Sequence, residues 1–217
     1  MNAISRILRL APALAVAALL SACGVNTIPT QDENVKAKWA EVQNQYQRRS
    51  DLIPNLVNTV KGYAAQEKDV LTAVTEARAS ATQVRVDAST ITNPAQFQQF
   101  QQSQDKLSGV LGRLMMIQEN YPDLKSNQNF MALQSQLEGT ENRIAISRRD
   151  YNEAAQQYNT TLRTFPQVIW AKTLYSGQKP AQLFQAAASA QTAPSVDFSA
   201  PPAAAPAATP APVPAKQ

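Results

Sequence analysis

Four charged residues stand where the helical pattern of this sequence calls for apolar side chains, and they are its first candidates for chemistry. Glu67 and Arg78 interrupt one apolar stripe, and Glu141 and Arg148 interrupt another. Two acids and two bases suit either acid–base catalysis in a charged cleft or ion pairs that fix the register of packed helices. Because an unpaired buried charge is costly, the balanced set favours ion pairs. We predict one between Glu67 and Arg148.

The residue types missing from the sequence exclude most other chemistry. The 217 residues contain no histidine and one cysteine, which excludes a Ser-His-Asp triad, a histidine-ligated metal and an intrachain disulfide. None of the six glycines belongs to a phosphate-binding loop. The formal charge is +4, of which Arg6 and Arg9 in the amino-terminal leader contribute 2. We therefore predict no metal, no cofactor, no nucleic-acid partner and no enzymatic activity.

The single cysteine, Cys23, ends a pattern typical of bacterial lipoprotein precursors. A basic segment is followed by eleven uncharged residues at 10–20, which are too few for a membrane-spanning helix. Leu20-Ser21-Ala22-Cys23 then resembles a lipobox. We predict a signal peptide over residues 1–22 and a lipid anchor on Cys23, consisting of a diacylglyceryl thioether and an N-acyl chain such as palmitate. The alternative is an ordinary signal peptide followed by a chance cysteine.

The residues on either side of the predicted folded part indicate where it is held. Gly24, rather than an aspartate, follows the cysteine, which favours the outer membrane facing the periplasm over the outer face of the cytoplasmic membrane. Residues 23–34 read as a short polar tether. Residues 186–217 are rich in alanine and proline, cannot bury enough apolar surface to fold, and read as a disordered, semi-rigid tail.

Between tether and tail, residues 35–185 have the apolar spacing of helices throughout. The pattern predicts a first helix to about residue 49, a second from about 51 to 81, a third from the Asn93-Pro94 cap to Tyr121, and a fourth from about 127 to 165. A short helix near 168–175 follows. We expect an all-α fold, an elongated antiparallel bundle of about four long helices plus a short C-terminal helix.

A cluster of apolar residues surrounds the predicted start of the second helix. Packing between the first two helices is the favoured interpretation, because apolar residues near helix ends usually pack. The alternative is an exposed patch that receives a partner protein. The residues concerned are Leu52, Ile53, Pro54, Asn55 and Leu56.

The same region carries a family resemblance. The string from Arg48 to Tyr63, RRSDLIPNLVNTVKGY, closely resembles the signature of the LemA family. Further agreements occur at Glu67, Ala77-Arg78, Glu119 to Lys125, Glu141, Arg148, Tyr151-Asn152, Tyr158-Asn159 and Phe165-Pro166. The resemblance covers residues 34–184 and implies an antiparallel helical bundle displayed outside the cytoplasmic membrane, with no established enzymatic activity. The lipobox and the alanine- and proline-rich tail depart from the family pattern.

Two functional hypotheses follow for the chain. The favoured one is a non-enzymatic, lipid-anchored envelope protein whose bundle acts as a scaffold or adaptor for other envelope proteins. The alternative is an envelope hydrolase, or a hydrolase activator, that acts on peptidoglycan or protein through carboxylates such as Glu67 and Glu141.

Overall fold

The computed structural model describes residues 24–84 and 87–185, and every regular element in these ranges is a helix. The all-α prediction is confirmed, with four long helices and a short C-terminal one. The predicted signal peptide, Cys23 and the predicted tail lie outside the described residues. The helices are α1 Thr27–Tyr63, α2 Lys68–Gln83, α3 Pro94–Met116, α4 Pro122–Lys125, α5 Gln128–Thr161 and α6 Gln167–Lys172, with 3-10 turns at Thr90–Thr92 and Ile117–Asn120.

Helix α1 differs from the prediction at both of its expected boundaries. It begins at Thr27, so most of the predicted tether is helical, and it continues through position 50, where a break was expected. Pro54 lies inside this helix, and its missing N–H leaves the Ser50 carbonyl without its usual partner four residues on. Arg78 of α2 supplies the bond instead, since its Nε donates to Ser50 O at 2.9 Å. A long-range side chain thus lets one helix accommodate a proline.

Because the Arg78 side chain replaces a backbone donor that Pro54 lacks, we predict that the contribution of Arg78 to stability depends on Pro54. Arg78→Met should lower the free energy of unfolding by about 1–2 kcal/mol, because it leaves the partly buried Ser50 carbonyl unbonded. In a Pro54→Ala background a backbone N–H is restored, so the same change should cost less than about 0.5 kcal/mol. Urea unfolding of the four chains measures the coupling. Arg113→Met, on the exposed side of α3, is the control, and equal losses in both backgrounds would refute the prediction.

Helices α1 and α5 form the antiparallel pair that organises the bundle. Tyr63 Oη accepts a hydrogen bond from Asn127 Nδ2 at 2.7 Å, Arg49 pairs with Glu141 at 3.0 Å, and the Trp39 and Tyr151 rings are 5.4 Å apart. The residue numbers of each opposed pair add up to 190, so one register holds along both helices. Helix α2 packs on α1, and α3 packs on α2.

The core consists of two separate hydrophobic clusters along this pair. The proximal cluster, at the end where α1 begins, is built largely from rings: Trp39, Tyr46, Phe97, Phe100, Tyr151, Tyr158 and Phe184, with aliphatic residues such as Ile28, Val35 and Ile144. The distal cluster is mainly aliphatic and includes Ile53, Leu56, Val60, Leu107, Leu114, Phe130 and Leu137. On each of α1, α3 and α5, about two helical turns separate the last residue of one cluster from the first residue of the other.

Local sequence explains where the later helices begin. Asn93 caps α3 as predicted, and its Oδ1 accepts from the backbone N–H groups of Ala95 and Gln96 at 3.1 and 3.3 Å. Asn127 caps α5 in the same way by accepting from Phe130 N at 2.9 Å. Helix α5 ends at Thr161, four residues before the predicted end, and a turn leads into α6.

Candidate functional site

A buried polar layer fills the gap between the two clusters, and Arg49 of α1 is its centre. The residue is 1 % exposed. Its Nη1 donates to Ser108 Oγ at 2.7 Å and to Glu141 Oε1 at 3.0 Å, and its Nη2 donates to the side-chain and backbone oxygens of Gln104. One guanidinium therefore joins α1 to α3 and α5, which suits the five-donor fork of arginine.

The surroundings of Arg49 make its charge expensive to leave unpaired. Its guanidinium carbon lies 5.0 Å from the centroid of the Tyr46 ring, a cation–π contact. Burial raises the pKa of the Tyr46 hydroxyl. Glu141 is the counter-charge, and its side chain is 40 % exposed, so the ion pair is open to solvent on the acid side only. The layer therefore fixes the alignment of three helices around one positive charge.

The four predicted charged residues do not pair with one another. Glu67 accepts a hydrogen bond from Tyr121 Oη at 2.9 Å, and this bond raises the pKa of the Tyr121 hydroxyl. Arg78 bonds to a backbone carbonyl, and Glu141 pairs with Arg49. Arg148 lies over the Phe184 ring, 4.6 Å from its centroid. Among the described residues, Glu141 alone of the four belongs to an ion pair.

The prediction of a Glu67–Arg148 ion pair is wrong because of the register of α1 against α5. Glu67 lies in the turn after α1, at the end of the bundle where Tyr63 meets Asn127. Arg148 is 21 residues further along the sequence than Asn127, which is about 30 Å at 1.5 Å per helical residue. The same reasoning places Glu141 about 20 Å from Glu67. That separation exceeds the 5–10 Å that paired carboxylates need to hydrolyse a glycoside.

The apolar group around Pro54 is divided between core and surface. Ile53 and Leu56 are each 1 % exposed and belong to the distal cluster, in agreement with the packing interpretation. Pro54 and Asn55 are exposed, and Leu52 is half-buried. The apolar side chains therefore do not form the continuous exposed patch that the partner interpretation requires.

The most elaborate polar arrangement was not predicted. After α6 the chain runs extended along α5, and we call residues 178–185 the strap. Two asparagines of α5 each bind one strap residue through both of its backbone groups. Asn159 donates to Ala181 O and accepts from Ala181 N, both at 2.8 Å. Asn152 does the same with Phe184, at 3.0 and 2.9 Å. Each side-chain amide thus imitates a neighbouring β-strand.

The spacing of the two asparagines matches the spacing of the strap. Seven helical residues rise about 10.5 Å, and three extended residues span about 10 Å. Asn152 and Asn159 are seven apart, while Phe184 and Ala181 are three apart and run in the opposite direction. We call the paired hydrogen bonds of Asn152 and Asn159 to the strap the two clamps. Because the two spacings match, both clamps form at the same time without distortion of the strap.

Further contacts attach the strap to both sides of the bundle. Tyr151 Oη donates to Gln182 O and Tyr158 Oη to Gln178 Oε1, both at 2.8 Å. Burial raises the pKa of both hydroxyls, that of Tyr158 to about 12, so both stay protonated donors at neutral pH. Gln182 N donates to Ile91 O at 2.7 Å. The strap therefore also reaches the connection between α2 and α3.

One side chain of the strap completes the proximal cluster. The Phe184 ring is 7 % exposed and its centroid lies 4.9 to 6.5 Å from those of Phe97, Tyr151, Trp39 and Phe100. Gln185 ends the described strap, where its carbonyl accepts from Gln101 Nε2 at 2.8 Å and from Arg148 Nη2 at 3.4 Å. Arg148 and the two asparagines thus act on one segment. The Tyr-Asn pairs repeated seven residues apart are the sequence signal for it.

Fold and site together define a class of protein: an all-α bundle whose interior polar residues align helices and hold a C-terminal strap. The model of the LemA family matches residues 38–198, more than half of the chain. The chain belongs to the LemA family, as its signature indicates.

Curated relatives agree with this assignment. Magnetosome protein MamQ 2 of Paramagnetospirillum magneticum is 29 % identical over 178 residues, covering 74 % of this chain and 64 % of the relative. Magnetosome protein MamQ of Magnetospirillum gryphiswaldense is 27 % identical, covering 65 % and 58 %. Protein LemA of Metamycoplasma hominis is 24 % identical, covering 64 % and 60 %. The chain thus spans less than two thirds of the length of these relatives.

Proposed function

We propose that this chain is a non-enzymatic, lipid-anchored protein of the cell envelope whose bundle acts as a scaffold or adaptor for other envelope proteins. The strap is the observation that carries the proposal. Asn159 and Asn152 hold its backbone at Ala181 and Phe184, and Arg148 bonds the carbonyl of Gln185, so the described chain ends at a fixed point; the alanine- and proline-rich residues 186–217 follow in the sequence. An anchor near one terminus and a fixed end of the bundle from which an alanine- and proline-rich segment follows in the sequence are the parts that an adaptor requires.

The use of the interior polar groups also supports a structural role. Arg49 of α1 donates to residues of α3 and α5, and Asn152 and Asn159 bond the strap. The two acids that the hydrolase alternative would use lie about 20 Å apart on the register given above. For these reasons we favour contact with partner proteins over bond-breaking chemistry.

The anchor is tested by metabolic labelling with an alkyne fatty acid in cells that express the full chain. We expect the native protein to carry the label and to sediment with membranes, because several acyl chains together anchor stably. Cys23→Ser should lose the label and leave the membrane fraction. Ser21→Ala is the control, since it keeps a small residue in the lipobox. A native chain that is unlabelled and soluble would overturn the anchoring part of the proposal.

The adaptor role is tested by cross-linking in intact cells followed by mass spectrometry. We expect a defined set of envelope proteins with the native chain, and loss of that set when residues 186–217 are deleted and the label on Cys23 persists. The hydrolase alternative predicts a different result. Purified protein incubated with peptidoglycan or envelope protein would release products, and Glu67→Gln or Glu141→Gln would abolish the release while the fold remains intact.

A further inference from the structure

Three large apolar side chains remain in solvent at the proximal end of the bundle, and we call them the end patch. Phe165, in the turn after α5, is 80 % exposed, Ile169 of α6 is 47 % exposed and Leu174 is 65 % exposed. Their neighbours Trp170 and Tyr175 pack against the proximal cluster and fix α6 on the bundle. Other exposed apolar residues, such as Met116 and Ile146, belong to other helices and are separated along the chain. The end patch is therefore a local concentration of apolar surface.

The register of the bundle places this patch where the chain enters. Residue 161, the last of α5, falls opposite residue 29 when the α1–α5 register is continued. Helix α6 contacts α1 directly, and Ile28 of the first turn of α1 lies in the proximal cluster. Gly24 precedes this turn, and its carbonyl accepts from Thr27 N. The end patch and the amino-terminal entry of the chain thus share one end of the bundle.

The short distance from Cys23 to the first helix limits what can cover the patch. Three residues separate Cys23 from Thr27, so the four steps between them span at most about 14 Å of extended chain. A bundle anchored through Cys23 must therefore keep its proximal end within that distance of the lipid surface. The charges of this end suit an anionic surface. Arg163, Lys172 and Lys179 are exposed, and no acidic residue occurs between residues 154 and 185. The two acids near the start of α1, Asp32 and Glu33, both pair with Lys36.

We propose that the end patch is a membrane-docking surface, in which Phe165, Ile169 and Leu174 enter the interface of a bilayer containing anionic phospholipid and the three basic residues contact its headgroups. Docking fixes the orientation of the bundle, with the strap starting near the membrane at Lys179 and running away from it along α5. This inference rests on the lipid anchor proposed above. It goes beyond that proposal because an anchor alone would leave the bundle free to change its orientation on the short link of residues 24–26.

Chemical tethering separates docking from native lipidation. Cys23 is the only cysteine of the sequence, so the chain from Cys23 to Gln217 is coupled through its thiol to maleimide lipid in phosphatidylglycerol–phosphatidylcholine vesicles. Trp170, one of two tryptophans, lies beside the end patch and reports docking through quenching by brominated lipid. Trp39, 2 % exposed and twelve residues into α1, is shielded and serves as an internal reference.

We expect brominated vesicles to quench the native tethered chain. The variant Phe165→Gln, Ile169→Gln, Leu174→Gln should lower the docking equilibrium constant, read from the quenched fraction, by roughly 30-fold or more. The matched control Met116→Gln, Met131→Gln, Ile146→Gln removes similarly exposed apolar groups elsewhere and should dock normally. Replacing phosphatidylglycerol with phosphatidylcholine should weaken docking by roughly tenfold.

Four results would contradict the docking inference or the anchor, and each can be told apart from the others. A native chain that floats with the vesicles without quenching would overturn the inference, as would equal quenching in the patch variant and the control. Cross-linking of the patch to an envelope protein, together with no quenching, would assign this end to a protein partner instead. Failure of fatty-acid labelling in cells would overturn the anchor while leaving the docking measurement intact, so the two proposals fail separately.

Discussion

Replacing Glu141 with leucine is expected to lower the free energy of unfolding by about 3 kcal/mol, because it leaves the Arg49 guanidinium buried without its counter-charge. Arg49 keeps its bonds to Gln104 and Ser108, which satisfy donors without neutralising the charge. The partial exposure of Glu141 holds the expected cost at the lower end for a broken buried pair. Urea unfolding followed by far-ultraviolet circular dichroism at neutral pH measures the change.

The double variant Arg49→Met, Glu141→Leu decides whether the loss is electrostatic. Methionine retains most of the volume of arginine without its charge, so we expect the double variant to recover most of the stability that Glu141→Leu loses. The remaining cost comes from the buried Gln104 side chain, whose oxygen loses its donor. Glu138→Leu is the control, since Glu138 is an exposed acid one turn earlier that accepts a hydrogen bond from the neighbouring Gln134, and it should change stability by less than about 0.5 kcal/mol. Additive losses in the double variant would contradict a charge-based layer.

The apolar pattern predicts the helices well because it reports a local property of the chain. Steps of three and four from Val35 through Tyr46 and from Phe97 through Leu114 place buried residues on one face of each helix, and the structure buries them there. The Asn93-Pro94 start is equally local. The expected break near Ser50 was wrong because Arg78, which is distant in sequence, donates the hydrogen bond to the Ser50 carbonyl that Pro54 cannot donate. No local pattern reveals such a bond.

The partners of the interior charges could not be predicted for a related reason. The sequence pattern around a charged residue in an apolar stripe is the same whether its side chain contacts an acid, a backbone carbonyl or an aromatic ring. Arg148 meets the Phe184 ring and a strap carbonyl, and Arg49, which the pattern placed at a helix end, became the buried centre. The partner of each charged residue can be identified only when the α1–α5 register is known, and that register depends on long-range packing. The strap gives no strand pattern because helix side chains, rather than another strand, satisfy its backbone.

Replacing both clamp asparagines with aspartate, Asn152→Asp and Asn159→Asp, is expected to open the strap. Each substitution keeps the side-chain shape and the acceptor for a strap N–H, but it turns the donor into a carboxylate oxygen that faces the carbonyl of Phe184 or Ala181. We expect the free energy of local opening to fall by about 3 kcal/mol for the pair, since each lost donor bond leaves a buried carbonyl unsatisfied. Hydrogen exchange at the Ala181, Gln182 and Phe184 amides should accelerate by roughly 100-fold.

Asn142→Asp is the matched control, because Asn142 is an exposed residue of the same helix that experiences the same change in charge. It should leave exchange in the strap unchanged. Acceleration in this control equal to that of the clamp variant would show that added negative charge on α5, rather than loss of the clamps, releases the strap.

Phe184→Ala tests the apolar half of the same attachment and should cost about 3–4 kcal/mol in global unfolding, because it removes a ring from the centre of the proximal cluster. Leu183→Ala, at a neighbouring strap position that is 39 % exposed, should cost less than about 1 kcal/mol. The two attachments differ in what they hold. The clamps bind the strap to α5 alone, whereas Phe184 also contacts Phe97 and Phe100 of α3. The aspartate variants should therefore affect mainly local opening, and Phe184→Ala should also lower the stability of the whole bundle, a contrast that equal effects on both measurements would contradict.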